Sequence, residues 1–221
     1  MMTTNKLTKT FASGSLAIGV LAGAVLTATS ASAASMVLTW GEWTNSDLAL
    51  RKDLIQGDKI VKYVGGTIGA EAVDKVALTE MGDHHYFRYD AMDGLADTNM
   101  SSGSFTYTIE VIGSPDYIVG VDLDSNVSSN YGTVTETFGE IPPPFELVST
   151  NGSQVPPSGF IPIAPIKKLT VTNTLAANPN EGLFDFQNSF HQSVPVPEPG
   201  TILGLLAVGG LGLVSRFKKQ K

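Results

Sequence analysis

Apolar and polar residues alternate with a period of two along much of the middle of the chain, the pattern of strands that bury one face and wet the other. Tyr107, Ile109 and Val111 alternate with Thr106, Thr108 and Glu110, and Val119, Val121 and Leu123 with Gly120, Asp122 and Asp124. Val134, Glu136 and Phe138 alternate with Thr133, Thr135 and Thr137, and Leu169, Val171, Asn173 and Leu175 with Thr170, Thr172 and Thr174. The threonine-rich faces are expected to point outward. Further strands are expected over 36–43, 59–64, 76–81, 86–89, 145–149 and 183–190, separated by clusters of Gly, Asn and Pro. Roughly nine or ten short strands predict an all-β body, an antiparallel β-sandwich of jelly-roll or Greek-key type. One helix is expected over 46–56, capped by Asn45 or Ser46, with Leu48, Leu54 and Ile55 at workable spacing and Gly57 as its stop. The proline-rich runs 142–144 and 156–165 read as long loops crossing between sheets.

The two ends do not follow this pattern. The first 33 residues have a basic start at Lys6 and Lys9, an apolar run from Phe11 to Leu26, and then Ala31-Ser32-Ala33. That order is a secretory signal peptide, with signal peptidase expected to accept the small residues Ala31 and Ala33 and cut after the second. At the other end stands Val194-Pro195-Val196-Pro197-Glu198-Pro199-Gly200, followed by Thr201 to Ser215 without a charge and then Arg216, Phe217, Lys218, Lys219, Gln220 and Lys221. The prolines force an extended backbone with few donors, so a helix starts only after them. A transmembrane helix is expected over 200–217. Its 200–215 portion rises about 24 Å, short of the roughly 30 Å hydrocarbon core, and Phe217 with snorkelling lysines makes up the difference. The terminal basic cluster is expected to stay cytoplasmic, which places the body across the membrane, as the signal peptide also requires. The expected organisation is therefore a signal peptide at 1–33, one exported domain at 34–192 and a tail at 193–221.

Pro197-Glu198-Pro199, the Gly-rich apolar span and the cluster that begins at Arg216 together resemble the PEP-CTERM tail of exosortase substrates. The resemblance implies that a membrane exosortase recognises Pro197, Glu198 and Pro199 and removes the span, leaving the body released or attached at the cell surface. It further implies an association with exopolysaccharide or biofilm, and the same tail is found on bacterial ice-binding proteins. The stretch from Asp53 to Ile60 contains a Gly-Asp-Lys element that resembles one near the start of many such exported proteins.

Charge sharpens this picture. Of the 14 Lys and Arg, two lie before residue 34 and four after residue 199, so the segment between carries 8 against all 21 acidic residues, a net of −13. Nucleic acid is excluded as a natural partner of so acidic a body. With no cysteine, neither a disulfide nor a thiolate metal site is available.

No catalytic constellation is visible. His84 and His85 are adjacent, and adjacent strand residues point to opposite faces, so with His191 the only other histidine no metal site is expected. Asp90, Asp93 and Asp97 with Gly94, and Asp122, Asp124 and Asn126, are similar to calcium loops but incomplete, since Val127 and Thr133 stand where an EF-hand needs Gly and Glu. There is no Gly-x-Ser-x-Gly. Trp40, Trp43 and Tyr131, with the tyrosines near Tyr86, are candidates for stacking on sugar rings. The threonine tracts begin at Thr106, Thr133 and Thr170, at unequal spacings that give no solenoid period. The expectation is a non-catalytic surface or matrix protein without a cofactor. The alternatives are a glycan-binding or ice-binding module, and then a secreted hydrolase whose paired acids the sequence does not disclose.

Overall fold

The computed structural model describes residues 34–142, 145–155 and 159–194. In chain order these form β1 (Ala34–Thr39), a one-turn helix α1 (Trp40–Trp43), β2 (Leu54–Gln56), β3 (Lys59–Thr67), β4 (Lys75–Met81), β5 (His84–Asp90) and β6 (Gly103–Val111). There follow β7 (Tyr117–Val127), β8 (Gly132–Phe138), β9 (Glu146–Thr150), β10 (Ser153–Val155), β11 (Ile161–Ile166), β12 (Lys168–Ala177) and β13 (Leu183–Ser193). One sheet has the order β1-β4-β5-β13-β7-β11 and the other β10-β9-β8-β12-β6-β3-β2, with every strand pairing antiparallel. The body is an all-β sandwich, as the alternation predicts.

The alternating residues meet between the sheets. Phe105, Tyr107, Ile109, Val134, Phe138, Leu169, Val171 and Leu175 of the second sheet are buried against Val76, Leu78, Phe87, Tyr89, Val121, Leu123, Phe186 and Phe190 of the first. Phe87 stacks on Tyr107 across the interface at 4.5 Å between ring centres, and Trp43 packs on Phe87 at 5.2 Å and on Phe105 at 5.9 Å. Aromatic side chains remove the most apolar area per residue from water, which matters in a chain that has no disulfide to hold its layers together.

Four local expectations are corrected. The helix lies at Trp40–Trp43, not over 46–56, and it interrupts the strand expected over 36–43. A capping box selects that start: Thr39 Oγ1 accepts from the Glu42 N–H at 3.1 Å, and the Glu42 carboxylate accepts from the Thr39 N–H at 3.0 Å. Downstream, Asn45 and Asp47 accept the backbone N–H groups of Asp47 and Ala49 at 2.9 Å each, so side chains compete for the donors a helix needs. Leu48 and Leu50 are then left exposed, while Leu54 enters the core from β2.

In β7 the inward set is Ile118, Val121 and Leu123 rather than Val119, Val121 and Leu123. The partner register jumps from His191 opposite Gly120 to Gln192 opposite Ile118, so Val119 is the extra residue of a β-bulge and the pleat changes phase there. The segment 156–165 is not wholly loop, because Ile161–Ile166 forms an edge strand beside β7. Pro162 and Pro165 are tolerated there because an edge strand leaves one row of its backbone groups unpaired. Trp40, Trp43 and Tyr131 are core residues and offer no face to a sugar.

One inward position of β8 is not apolar. Glu136 is fully buried, and neither carboxylate oxygen has a hydrogen-bond partner. Desolvation raises its pKa well above the usual carboxylate value, with the Asn188 amide beside it only partly opposing and the charge of Asp122 adding to the rise. Below the unfolded-state pKa both states are protonated and the group is neutral to stability; as pH rises above it, the unfolded chain ionises first and stability falls. Glu136→Gln, which mimics the protonated acid, is expected to stabilise the body at pH 7 by about 1–3 kcal/mol and to flatten the loss of stability above about pH 4.5, read from urea denaturation at a series of pH values.

Candidate functional site

Chemistry-bearing residues collect at one end of the sandwich, where two Gly-Asp turns lie side by side. Gly57 and Asp58 join β2 to β3, with Gln56 paired to Lys59; Gly82 and Asp83 join β4 to β5, with Met81 paired to His84. Both glycines have positive φ, +57° and +67°, as two-residue hairpins require. Gly57 also passes so close to Glu80 that a Cβ would lie 2.3 Å from its carboxylate. The Gly-Asp-Lys element noted in the sequence is thus a hairpin turn followed by the first residue of β3.

Gln192, near the end of β13, ties the two turns together. Its backbone N–H donates to the Asp83 carbonyl at 2.9 Å, and its side-chain amide donates to Asp58 Oδ2 at 2.6 Å. Its Oε1 accepts from Lys59 Nζ and lies 2.6 Å from His85 Nε2. Lys59 Nζ also donates to Asp58 Oδ1 at 2.5 Å. Lys59 and His85 are buried, so this is a charged knot inside the end of the core rather than a surface ion pair.

Desolvation pushes the Lys59 pKa down, against the pull of Asp58. Burial followed by the Lys59 charge pushes that of His85 down, so its imidazole is neutral at pH 7. For Asp58, burial acts upward but is outweighed by the hydrogen bonds from Lys59 and Gln192, which hold its carboxyl below the usual range. The knot closes the floor of a cavity of about 410 Å³ lined by Asp58, Glu80, Gly82, Asp83, Ser114, Asp116 and Gln192.

On the outer face above the knot, His84 and His191 are register partners across β5 and β13. His84 and His85 point to opposite faces as expected, His85 inward and His84 outward, but the partner of His84 is a residue 107 positions away, beside which Asp83 also sits. Long sequence separation hid that pairing.

The second feature is the outer face of the second sheet. Thr106 and Thr108 of β6, Thr170, Thr172 and Thr174 of β12, and Thr133, Thr135 and Thr137 of β8 all point away from the core on neighbouring strands. Thr172 is paired with both Thr106 and Thr137, and Thr174 with both Ser104 and Thr135. The unequal spacings of 27 and 37 between the tracts therefore do not scatter them. They form one array with hydroxyls and methyls repeating about every 6.7 Å along a strand and about 4.8 Å across strands.

Neither incomplete calcium loop is assembled. Asp90 pairs with Arg88 at 3.1 Å and caps the Met92 N–H, while Asp122 and Asp124 both accept from Gln154, at 3.3 and 2.9 Å, and Asn126 donates to Asp185. Burial, and then the neighbouring charge of Asp124, raises the Asp122 pKa. Pro197, Glu198, Pro199 and Arg216, the cleavage residues Ala31 and Ala33, and the transmembrane segment 200–217 lie outside the described residues. Among the described residues no helix is long and apolar enough to cross a membrane.

Compared with known families, the chain matches the PEP-CTERM protein-sorting motif over residues 195–219. The chain carries a PEP-CTERM sorting signal. No curated protein and no solved structure matches it. The PEP-CTERM signal marks an exported protein, processed by a membrane exosortase and sorted to the surface or the extracellular space. The match begins two residues after β13 ends at Ser193.

Gln192→Ala would leave Lys59, His85 and Asp58 without their common partner. It is expected to destabilise the body by about 3 kcal/mol in urea denaturation, because the vacated groups include buried charges.

Proposed function

We propose that the PEP-CTERM protein is a non-catalytic component of the bacterial surface or extracellular matrix, anchored in the inner membrane only until exosortase acts, and associated with exopolysaccharide. The sorting motif at 195–219, set directly behind an acidic all-β body, is the observation that carries this reading. Two features of the body support it. Within the knot, Asp58 and His85 are committed to Lys59 and Gln192. Ser114 donates to Asp116 at 2.6 Å rather than to a histidine. Under this reading Glu198→Ala leaves the chain membrane-bound with its tail intact, and mass spectrometry of the mature C-terminus reads the result. Normal trimming of that variant would contradict it.

A second reading is favoured by the threonine array. A lattice of hydroxyls and methyls repeating in two directions on rigid strands can hold a matching layer of ordered water, so the same body would adsorb to ice. With Trp40, Trp43 and Tyr131 in the core, this reading gains over glycan stacking. If it holds, Thr172→Lys combined with Thr135→Lys abolishes thermal hysteresis and leaves the circular dichroism unchanged. If the exopolysaccharide reading alone holds, the unmodified protein shows no thermal hysteresis at all.

A further inference from the structure

We propose that His84, His191 and Asp83 form a zinc-binding site on the outer face of the first sheet. The backbone sets their positions: His84 and His191 are register partners, and Asp83 is pinned beside them by the hydrogen bond from the Gln192 N–H to its carbonyl. His84 Nε2 lies 3.4 Å from Asp83 Oδ1, His191 Nδ1 lies 3.4 Å from Asp83 Oδ2, and one donor atom from each of the three falls within 4.8 Å of the others.

Those separations are longer than those of tight, hydrogen-bonded ion pairs. A charge-assisted N–H···O bond is about 2.7–2.9 Å long, so 3.4 Å is too far for Asp83 to be holding two imidazolium rings tightly. Tetrahedral zinc with bonds of about 2.0–2.1 Å keeps its ligand atoms about 3.3–3.4 Å apart. Each imidazole already stands at that spacing from one Asp83 oxygen, His84 from Oδ1 and His191 from Oδ2. With one donor atom from each residue within 4.8 Å of the others, rotation of these side chains would bring a single carboxylate oxygen and both nitrogens onto one ion. His191 Nδ1 is a buried atom without a hydrogen-bond partner, a cost that a metal bond would remove.

The surroundings orient the rings as a metal site requires. The Tyr86 hydroxyl lies 3.2 Å from His84 Nδ1, so a proton held there leaves the Nε2 lone pair facing Asp83. Phe160 packs on His84 at 4.8 Å and on His191 at 5.4 Å between ring centres. Gly120 permits that wall, since a Cβ at this position would lie 3.2 Å from Phe160 Cβ and 3.3 Å from His191 Cβ. The adjoining cavity, lined by Asp58, Glu80 and Asp116 as well as Asp83, draws divalent cations toward the site. Two imidazoles and one carboxylate suit zinc better than calcium or magnesium, which ask for oxygen ligands throughout, and three protein ligands leave one position for water.

The test titrates the metal-stripped full chain, in detergent, with zinc in a calorimeter, and repeats the titration with cobalt(II) to read the visible bands of tetrahedral coordination. One zinc per chain is expected, with tetrahedral cobalt bands, and His84→Ala, His191→Ala and Asp83→Asn each weakening zinc binding by about tenfold or more. Asp83 stands in an exposed turn, so its variant keeps the test decisive should either histidine variant fail to fold. Calcium in hundredfold excess is expected not to displace the zinc. Absence of saturable zinc binding, unchanged affinity in Asp83→Asn, or displacement by calcium, which would mean that the acidic cavity alone holds the ion, overturns the proposal.

Discussion

The body depends on one strand entering the middle of a sheet that the rest of the chain has left open. β13 lies between β5 and β7, pairing with His84–Asp90 on one side and with Tyr117–Val127 on the other, although it is the last strand of the described body. Such non-local pairing must overcome loop-closure entropy before any contact rewards it. The reward is concentrated: Phe186 and Phe190 enter the core, Asn188 donates across the layers to Asn173 at 3.0 Å, and Gln192 reaches the Lys59–Asp58 pair of the opposite sheet. With no cysteine in the chain, no covalent bridge shares this task.

Sorting and folding meet at the same place. Ser193 ends the strand and the PEP-CTERM match begins at residue 195, so shortening the body ahead of the signal removes the centre of a sheet rather than a spacer. The same strand carries His191 to His84 and Gln192 to both Gly-Asp turns. The arrangement at that end of the sandwich therefore exists only once the segment nearest the sorting signal has been incorporated.

Much of this was legible in the residues because a period of two has one physical meaning. The strands at Gly103–Val111, Gly132–Phe138 and Lys168–Ala177 bury the alternate residues that their pattern marks. The errors have local causes. Asn45 looked like a helix cap and instead, with Asp47, holds turns, while Thr39 and Glu42 formed the true capping box within what read as a strand. Val119 fell in phase with Val121, and only the partner strand reveals the bulge that reverses it. Pro162 and Pro165 argued against a strand, and an edge accommodates them. The site was less legible than the fold. The threonine tracts become one surface, and His84 finds His191, only through strand order, which no spacing along the chain encodes. The Gly57-Asp58-Lys59 element carries no mark of burial in the sequence, yet its lysine is among the most deeply buried side chains.

The central role of β13 is tested most directly by native-state amide hydrogen exchange. Its inner amides, from Phe186 to Phe190, are predicted to exchange in the slowest class of the molecule, opening only with global unfolding and together with those of β5 and β7. Exchange of these amides as fast as that of the edge strands β10 and β11, while β5 and β7 stay protected, would show that the sheet holds without its last strand and would contradict the account.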